Sequence, residues 1–407
     1  MSTVHVEVTA TGMAAGGDAI GREASGRIVF VEGALPGERV RVVLTQQRKD
    51  FARGHAVEVL DPSPLRVDAP CPAVALGCGG CQWQHVDRAA QGGLKRAIVA
   101  DALRRIAHMD SPPLAADVLV APATRTNLRV GVVDGRAGFR RRRGHDLVPV
   151  AECLVAHPAL QELLAEGRFD GAEEVLLRVG VAGGERLVVA EPTASGVQVP
   201  EGVRVVAAAD LRLDEPDLPA VHEDVAGRRW RVSALSFFQP SPQAAALLVD
   251  AVRVAAGPVP DDAVVLDAYA GVGLLGGSFG PGRLLAVESS AWAAADARWN
   301  LADLDAVVME GEVAEAVPAI AQDMADGEQI DLVIADPARP GLGRSAATAL
   351  AHVGAPRLVL VSCDPASLAR DVGLLHGLGY RLASAQVLDL FPNTFHVEVV
   401  AGFERVG

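Results

Sequence analysis

The sequence predicts an α/β protein in three parts: a small β-barrel over residues 1–62, a mixed α+β segment over 63–232, and a largely parallel sheet over 233–407. Three observations carry that reading. Beyond residue 233, nearly continuous apolar runs (AVVLDAY, RLLAVE, IDLVIADP, PRLVLVSC) alternate with stretches of helical spacing, the pattern of strands buried on both faces. Before residue 62, short runs of alternating apolar and polar residues crowd between turn signals, as they do in small closed or half-closed barrels. Between the two lies DPSPLRVDAPCP, whose prolines mark a boundary. A chain of 407 residues also exceeds one ordinary core, which suggests two or three domains.

In the first part, GRIVFV reads as a strand, EGALPGE as its turn, RVRVVL as the next strand and GHAVEVLD as another. In the second, RAAQGGLKRAIVADALRRIA has helical spacing despite Gly92-Gly93, and this helix near 88–107 could equally pack on the C-terminal sheet. LRVGVVDGRAGFR reads as a hairpin around Asp134-Gly135, and RLVVAEPTASGVQVPEGVRVVAA is rich in strand formers. In the third, AAALLVDAVRVAA, AAADARWNLAD and ASLARDVGLLHGLG read as helices. FHVEVV closes the chain as a strand whose period of two puts His396 and Glu398 on one face.

Composition narrows the function classes. Half the residues are hydrophobic and 22% are charged, a globular balance. No apolar run reaches about 18 residues, so no membrane partner is expected, and MSTVHVEVTA lacks the features of a signal peptide. The expected location is the cytoplasm, where thiols stay reduced and cysteines more often bind metal or catalyse than cross-link. A net charge of −14 argues against a nucleic-acid partner, yet residues 121–150 carry seven arginines against two aspartates. Lysine occurs only at 49 and 95, so the arginine abundance is mainly a compositional habit.

The stretch VVLDAYAGVGLLGGSFG places Asp267 at a strand end, with Gly271 and Gly273 in the following turn. Small residues there let backbone approach a ligand at the carboxyl edge of an open sheet. Glu288 ends the next strand 21 residues later, an offset at which an acid can accept from two ribose hydroxyls. The pattern is a poor G-x-G-x-x-G and no phosphate-binding G-x-x-x-x-G-K-[ST] is present, so NAD is not required. S-adenosylmethionine has no pyrophosphate, and a looser turn suffices for it. Asp336, before proline in IADPARPG, faces the same crevice or simply forms a turn.

Cys363 ends RLVLVS in VSCDPASLARD, at that same edge. A free cysteine is more often a small buried hydrophobe. Glu398, however, is a carboxylate in an apolar terminal strand and needs a partner or a role. A thiol nucleophile with a carboxylate base suits covalent addition followed by proton removal. The remaining cysteines, 71, 78, 81 and 153, provide four thiolates, enough for one [4Fe–4S] cluster or one structural zinc ion. The run Arg140–Arg143 reads as a solvated loop or as a set of phosphate contacts.

SFFQPS, LDAYAGVG, AVES, ADPARPG, VSCDPASLARD and DLFPNTFHVE together resemble the S-adenosylmethionine-dependent RNA uridine-C5 methyltransferases, and in particular their iron–sulfur branch acting on 23S ribosomal RNA. Upstream, GRIVFVEGALPGERV resembles the family's TRAM domain, an OB-like RNA-binding barrel, and CPAVALGCGGCQWQH resembles its cluster-binding stretch. The resemblance implies a Rossmann-like class I methyltransferase domain over 233–407, a TRAM barrel over 1–62 and a central iron–sulfur domain over 63–232. It implies Cys363 as the nucleophile at uracil C6 and Glu398 as the base that removes the C5 proton. Gln239, Tyr269, Glu288 and Asp336 match donor-contacting positions, with Asp267, Gly271 and Gly273 in the same binding segment. Cys71, Cys78, Cys81 and Cys153 would hold a [4Fe–4S] cluster. RNA contacts are expected from Arg125, Arg129, Arg140, Arg141 and Arg142. Ala270, Leu274, Gly311 and the Asp in CDP depart from common family residues, and these changes bear on donor affinity.

The expected substrate is 23S rRNA, acted on by a monomer. Transfer RNA is the nearest alternative within the class, and a non-catalytic RNA-binding or assembly factor the alternative outside it. The latter predicts loss of Cys363 or Glu398, and both are present. A DNA cytosine-C5 methyltransferase would place Pro-Cys at the nucleophile, whereas Ser362 precedes Cys363. A radical enzyme would use three cysteines spaced C-x3-C-x2-C, which differs from the spacing here.

Overall fold

The computed structural model describes residues 4–215, 217–324 and 328–406. Strands His5–Met13, Ala19–Arg22, Ile28–Glu32, Arg39–Gln47 and Phe51–Asp61 close into a barrel, with the third strand hydrogen-bonded to the fifth and the fifth to the fourth. Alternate residues point inward, so Val8 and Ala10, Val29 and Val31, and Val40 and Val42 fill the interior. Buried Glu38 accepts from the Leu35 and Ser63 amides and from Arg66, which pins the proline-rich boundary to the barrel wall.

The middle of the chain forms a six-stranded sheet whose strands Asn127–Val133 and Arg136–Arg140 meet at Asp134-Gly135. Both turn residues have positive φ, 51° and 70°, as a tight hairpin demands. Helix Pro158–Glu166 buries Leu160, Leu163 and Leu164 against this sheet.

The C-terminal sheet has eight strands. Their spatial order is Ala306–Glu310, Arg283–Glu288, Val264–Ala268, Leu332–Ala335, Arg357–Ser362, Glu398–Arg405, Tyr380–Asp389 and Leu114–Val120. The first five are mutually parallel, and Glu398–Arg405 runs antiparallel to both its neighbours. Two features differ from the sequence expectation. Strand Leu114–Val120, inside the 63–232 segment, pairs in parallel with Tyr380–Asp389 and so extends the C-terminal sheet. The last strand begins at Glu398, so His396 lies in the preceding loop and not on the strand face.

Helix Arg88–Arg105 lies on this sheet. Val99, Ala102 and Leu103 join its core, and a Cβ on Gly92 would stand 3.3 Å from Val118, so glycine permits the close approach. The polar face of the helix is buried as well. Lys95, with no solvent exposure, places Nζ 2.5 Å from Asp389 Oδ1 and 3.1 Å from the Phe391 carbonyl. Arg88 reaches the other oxygen of Asp389 at 2.6 Å. One helix turn on from Arg88, Gln91 accepts from the Asn393 amide and donates to its side-chain oxygen. Helix and loop 390–397 are thereby joined by charge and by amide hydrogen bonds in a dry interior.

A buried cation left without its counter-charge is strongly destabilising. Asp389→Ala is expected to cost about 3–5 kcal/mol in denaturant-induced unfolding. The double change Lys95→Met with Asp389→Leu is expected to lose much less, because no charge then remains buried.

Candidate active site

Strand order reverses between Val264–Ala268 and Leu332–Ala335, and the crevice at their carboxyl ends is where open α/β sheets bind ligands. Three segments build one side of it. After Val264–Ala268, Tyr269 adopts φ +66°, Gly271 +57° and Gly273 +89°. Tyr269 is a bulky residue in the left-handed region, a strain usually retained where geometry serves a site. The Gly271 amide donates to Glu288 Oε2 at 2.8 Å, and the Ser290 amide to Oε1 at 2.7 Å. Glu288 is therefore held at the strand end, and each of its oxygens keeps a further lone pair for a ligand hydroxyl.

Asp267 plays a different part from its neighbours. It is fully buried, and its Oδ2 accepts from the Gly276 amide at 2.7 Å, anchoring the short helix Leu274–Gly277. Burial pushes its carboxyl up to about 7. It supports the glycine turn from beneath. Gln239 is likewise mostly buried in a loop held from several sides. Its carbonyl accepts from Asn127, Pro240's accepts from the Thr126 amide, and the carbonyls of Ser233 and Ser236 accept from buried Arg178. Asp296 holds the hydroxyls of the same two serines at 2.6 Å.

The other side carries the thiol and the carboxyls. Cys363 follows Arg357–Ser362, Asp336 follows Leu332–Ala335, and Glu398 opens the antiparallel strand registered beside Ser362. Burial, then the charges of Glu398 and Asp336, push the Cys363 thiol up to about 11, while Arg339 pulls it down. Burial holds the Glu398 carboxyl well above its ordinary value, with Asp336 adding to the rise and Arg339 opposing it. Glu398 is 6% exposed and its Oε1 has no hydrogen-bond partner. Asp336 is itself pushed up to about 7 by burial. The structure thus brings Cys363, Asp336 and Glu398 within electrostatic reach of one another, with Arg339 as the cation among them.

Arg339 has no role assigned by the sequence, although it stands in ADPARPG. Its guanidinium lies 3.0 Å from His396 Nδ1. His396 stacks on Phe395 at 4.4 Å, and burial, then Arg339, push its imidazole down to about 4. It is neutral at physiological pH and can accept from Arg339.

The four remaining cysteines line one cavity of about 50 Å³ with Gln84, Arg125, Leu128 and Phe139. All are free thiols, and burial raises Cys78, Cys153 and, to about 11, Cys81. Among the described residues, no group of three or more Cys, His, Asp or Glu side chains is arranged to hold a metal ion. The thiols surround a space and do not converge on a point.

The arginines expected to contact RNA are dispersed. Arg142 and Arg143 both pair with Asp18 and Glu32 of the barrel, at 2.5–3.5 Å, and so clamp barrel to central sheet. Arg141 donates to the Leu76 carbonyl, and Arg129 pairs with Glu174 and Glu191. Arg140 is the most open, with only a 3.9 Å contact to Glu174. Arg125 lies inward, beside the thiols and 5.9 Å from the Phe391 ring.

Comparison with known proteins follows the same outline. A TRAM domain matches residues 1–57. An uncharacterised RNA methyltransferase of Streptomyces coelicolor is 38% identical, over 98% of this chain and 92% of its own length. The 23S rRNA (uracil(1939)-C(5))-methyltransferase of Methylococcus capsulatus is 34% identical over 93% of both chains. In structure, the Pyrococcus abyssi tRNA (uracil-54, C5)-methyltransferase, solved with S-adenosyl-L-homocysteine, has a TM-score of 0.71 and 22% identity. The likeness covers 98% of this chain and 100% of that one, and at this identity it concerns the fold.

With its thiol near 11, Cys363 should be alkylated by iodoacetamide about tenfold faster per pH unit between 7 and 9, read on its own peptide by mass spectrometry. Glu398→Gln removes a charge that raises the thiol and should speed alkylation at pH 8–9. Arg339→Ala should slow it.

Proposed function

The chain belongs to the RNA methyltransferases that carry a TRAM domain, and from that premise we propose that it methylates C5 of a uridine in 23S ribosomal RNA. The observation that carries this reading is that Asp336, Cys363 and Glu398 stand at the ends of three adjoining strands, on the sheet edge that also carries the glycine turn and Glu288.

Uracil C5 is a weak nucleophile. S-adenosylmethionine supplies an electrophilic methyl group on its sulfonium. Cys363 Sγ adds to C6, and the electrons of the C5–C6 double bond shift towards O4, which makes C5 enolate-like. C5 takes the methyl group and S-adenosylhomocysteine is released. Ionised Glu398 then removes the C5 proton, the double bond re-forms, and the thiolate leaves.

The free site resists the first of these steps, because its thiol and carboxyls hold their protons. Asp336, near 7, can receive the proton of the thiol at neutral pH, and Arg339 favours the ionised forms of both Cys363 and Glu398. The rate should therefore rise with pH on its acidic limb, and Arg339→Ala should move that limb to higher pH.

Glu288 suits the ribose hydroxyls of the donor, and Gln239 and Tyr269 are assigned further donor contacts by the family resemblance. Asp267, Gly271 and Gly273 shape the turn beneath it. The target base must leave its stack to reach a crevice of this kind. The TRAM barrel and Arg140 are the surfaces best placed for RNA backbone, with Arg129, Arg141 and Arg142 already engaged within the protein and Arg125 lining the cavity of the thiols.

For the four cysteines the reading is a [4Fe–4S] cluster. A single tetrahedral zinc ion, with Zn–S bonds of about 2.3 Å, would draw its sulfurs into near contact. The four cysteines that line one cavity would supply the four thiolates a [4Fe–4S] cluster requires. When bound, the cluster supplies a dianionic, redox-capable centre, and the methyl-transfer steps do not pass through it.

Two outcomes test the proposal. With labelled donor, 23S rRNA should gain 5-methyluridine; Cys363→Ala should lose at least about a thousandfold in rate, and Glu398→Gln should accumulate an RNA adduct that survives denaturation. Labelling of transfer RNA in place of ribosomal RNA would reassign the substrate, and labelling of neither would overturn the activity. Anaerobically purified protein should be brown, with about four iron and four sulfide per chain; a colourless zinc-loaded protein would overturn the cluster.

A further inference from the structure

Arg125 is the one arginine in the 121–150 cluster whose charge has no answer among the described residues. Arg129, Arg142 and Arg143 pair with carboxylates, Arg136 and Arg141 donate to carbonyls, and Arg140 approaches Glu174. Arg125 makes no such pair. Its Nε is shut off from solvent and unbonded, and Glu152, which shares the cavity wall, does not reach it. Arg125 as a whole is partly buried, and a cation with a buried, unbonded nitrogen favours an anion beside it.

Its surroundings indicate where the anion sits. Arg125 lines the cavity of the four cysteines, beside Cys81 and Cys153. It also lines a second, smaller cavity of about 20 Å³, bounded by Cys81, Leu390, Phe391, Pro392 and Thr394. That space accommodates about one water molecule, too little for an RNA phosphate. The backbone is held as tightly, since the Arg125 amide donates to Val155 and its carbonyl accepts from His157, which fixes it beside Cys153. On its other side the guanidinium lies over Phe391, in the loop that leads to His396 and Glu398.

We propose that Arg125 is the counter-charge of the loaded four-cysteine site, and that its contact with the Phe391 ring links that site to the loop positioning Glu398. The inference rests on the cluster reading above. Four thiolates around a [4Fe–4S]²⁺ core leave a net charge of −2, and a guanidinium at its edge satisfies both partners. Reduction adds one more negative charge, which the arginine stabilises. The arginine is then a positioning residue for the loop and a tuning residue for the cluster, with no contact to the reacting atoms.

The full-length protein, purified anaerobically, provides the test through Arg125→Gln and Arg125→Lys. Arg125→Gln should shift the cluster's midpoint to more negative potential, equivalent to at least a tenfold fall in the reduced-to-oxidised ratio at fixed potential, and should lose iron to a chelator several-fold faster. Arg125→Lys keeps the charge without the guanidinium plane over Phe391, so it should restore the midpoint while amides in 389–398 exchange hydrogen faster than in the parent. An unchanged midpoint and iron-loss rate in Arg125→Gln, in a protein whose parent carries iron, would overturn this inference alone. A parent with neither iron nor sulfide would overturn the cluster reading and this inference with it.

Discussion

Loop 390–397 and the ion pair at its root hold this molecule together. Asp389 and Lys95 meet with no water between them, nearly 300 residues apart in sequence. Around that pair the loop is gripped from every side. Gln91 brackets Asn393, the Trp83 amide donates to the Asn393 carbonyl, and the Trp83 indole donates to Gly17 in the barrel. Gly17 in turn is packed so closely on Phe395 that a Cβ would overlap the ring. Barrel, cysteine segment, long helix and terminal strand all converge on nine or so residues, and the last of these is Glu398. A carboxylate held in an apolar strand end, with one oxygen unbonded, gains its position from such a frame and from its pairing with Leu388.

The charge arrangement follows the same economy. An overall charge of −14 is hard to reconcile with an RNA partner until the arginines are placed. Much of the basic run is spent inside the protein, joining barrel to central sheet through Asp18 and Glu32. These bridges span more than a hundred residues and make one body of parts that composition alone would leave separate. RNA affinity then falls to a small number of open cations and to the barrel surface, so surface orientation matters more than net charge.

The parts of this architecture legible in sequence are those governed by local rules. Strands buried on both faces declare themselves as apolar runs, and the acids and the cysteine at their ends mark the crevice edge. Asp134-Gly135 announces its hairpin through backbone preference. Asp267 is legible as a strand-end acid, but not as the buried support of the glycine turn, because that depends on the Gly276 amide. Strand Leu114–Val120 is half-exposed at a sheet edge and has no strong alternation, so its pattern gives no sign of the sheet it joins. Arg339 and His396, 57 residues apart, are brought together only by the fold. One signal was available for Lys95: in a chain that otherwise chooses arginine, a lysine on an apolar helix marks a site where the compact ammonium fits and the guanidinium does not.

The parallel pairing of Leu114–Val120 with Tyr380–Asp389 also sets a schedule for biosynthesis. About 270 residues separate the two strands, and at roughly 5–20 residues per second the earlier one leaves the ribosome some 15–50 s before its partner exists. Throughout that interval the long helix exposes Val99, Leu103 and a lysine meant for a dry interior. Only when the final twenty residues emerge can the edge, the helix and Glu398 lock together in one event. A nascent chain truncated a little short of its end would therefore carry a nearly complete sheet and no working enzyme, and would be a natural client for chaperones.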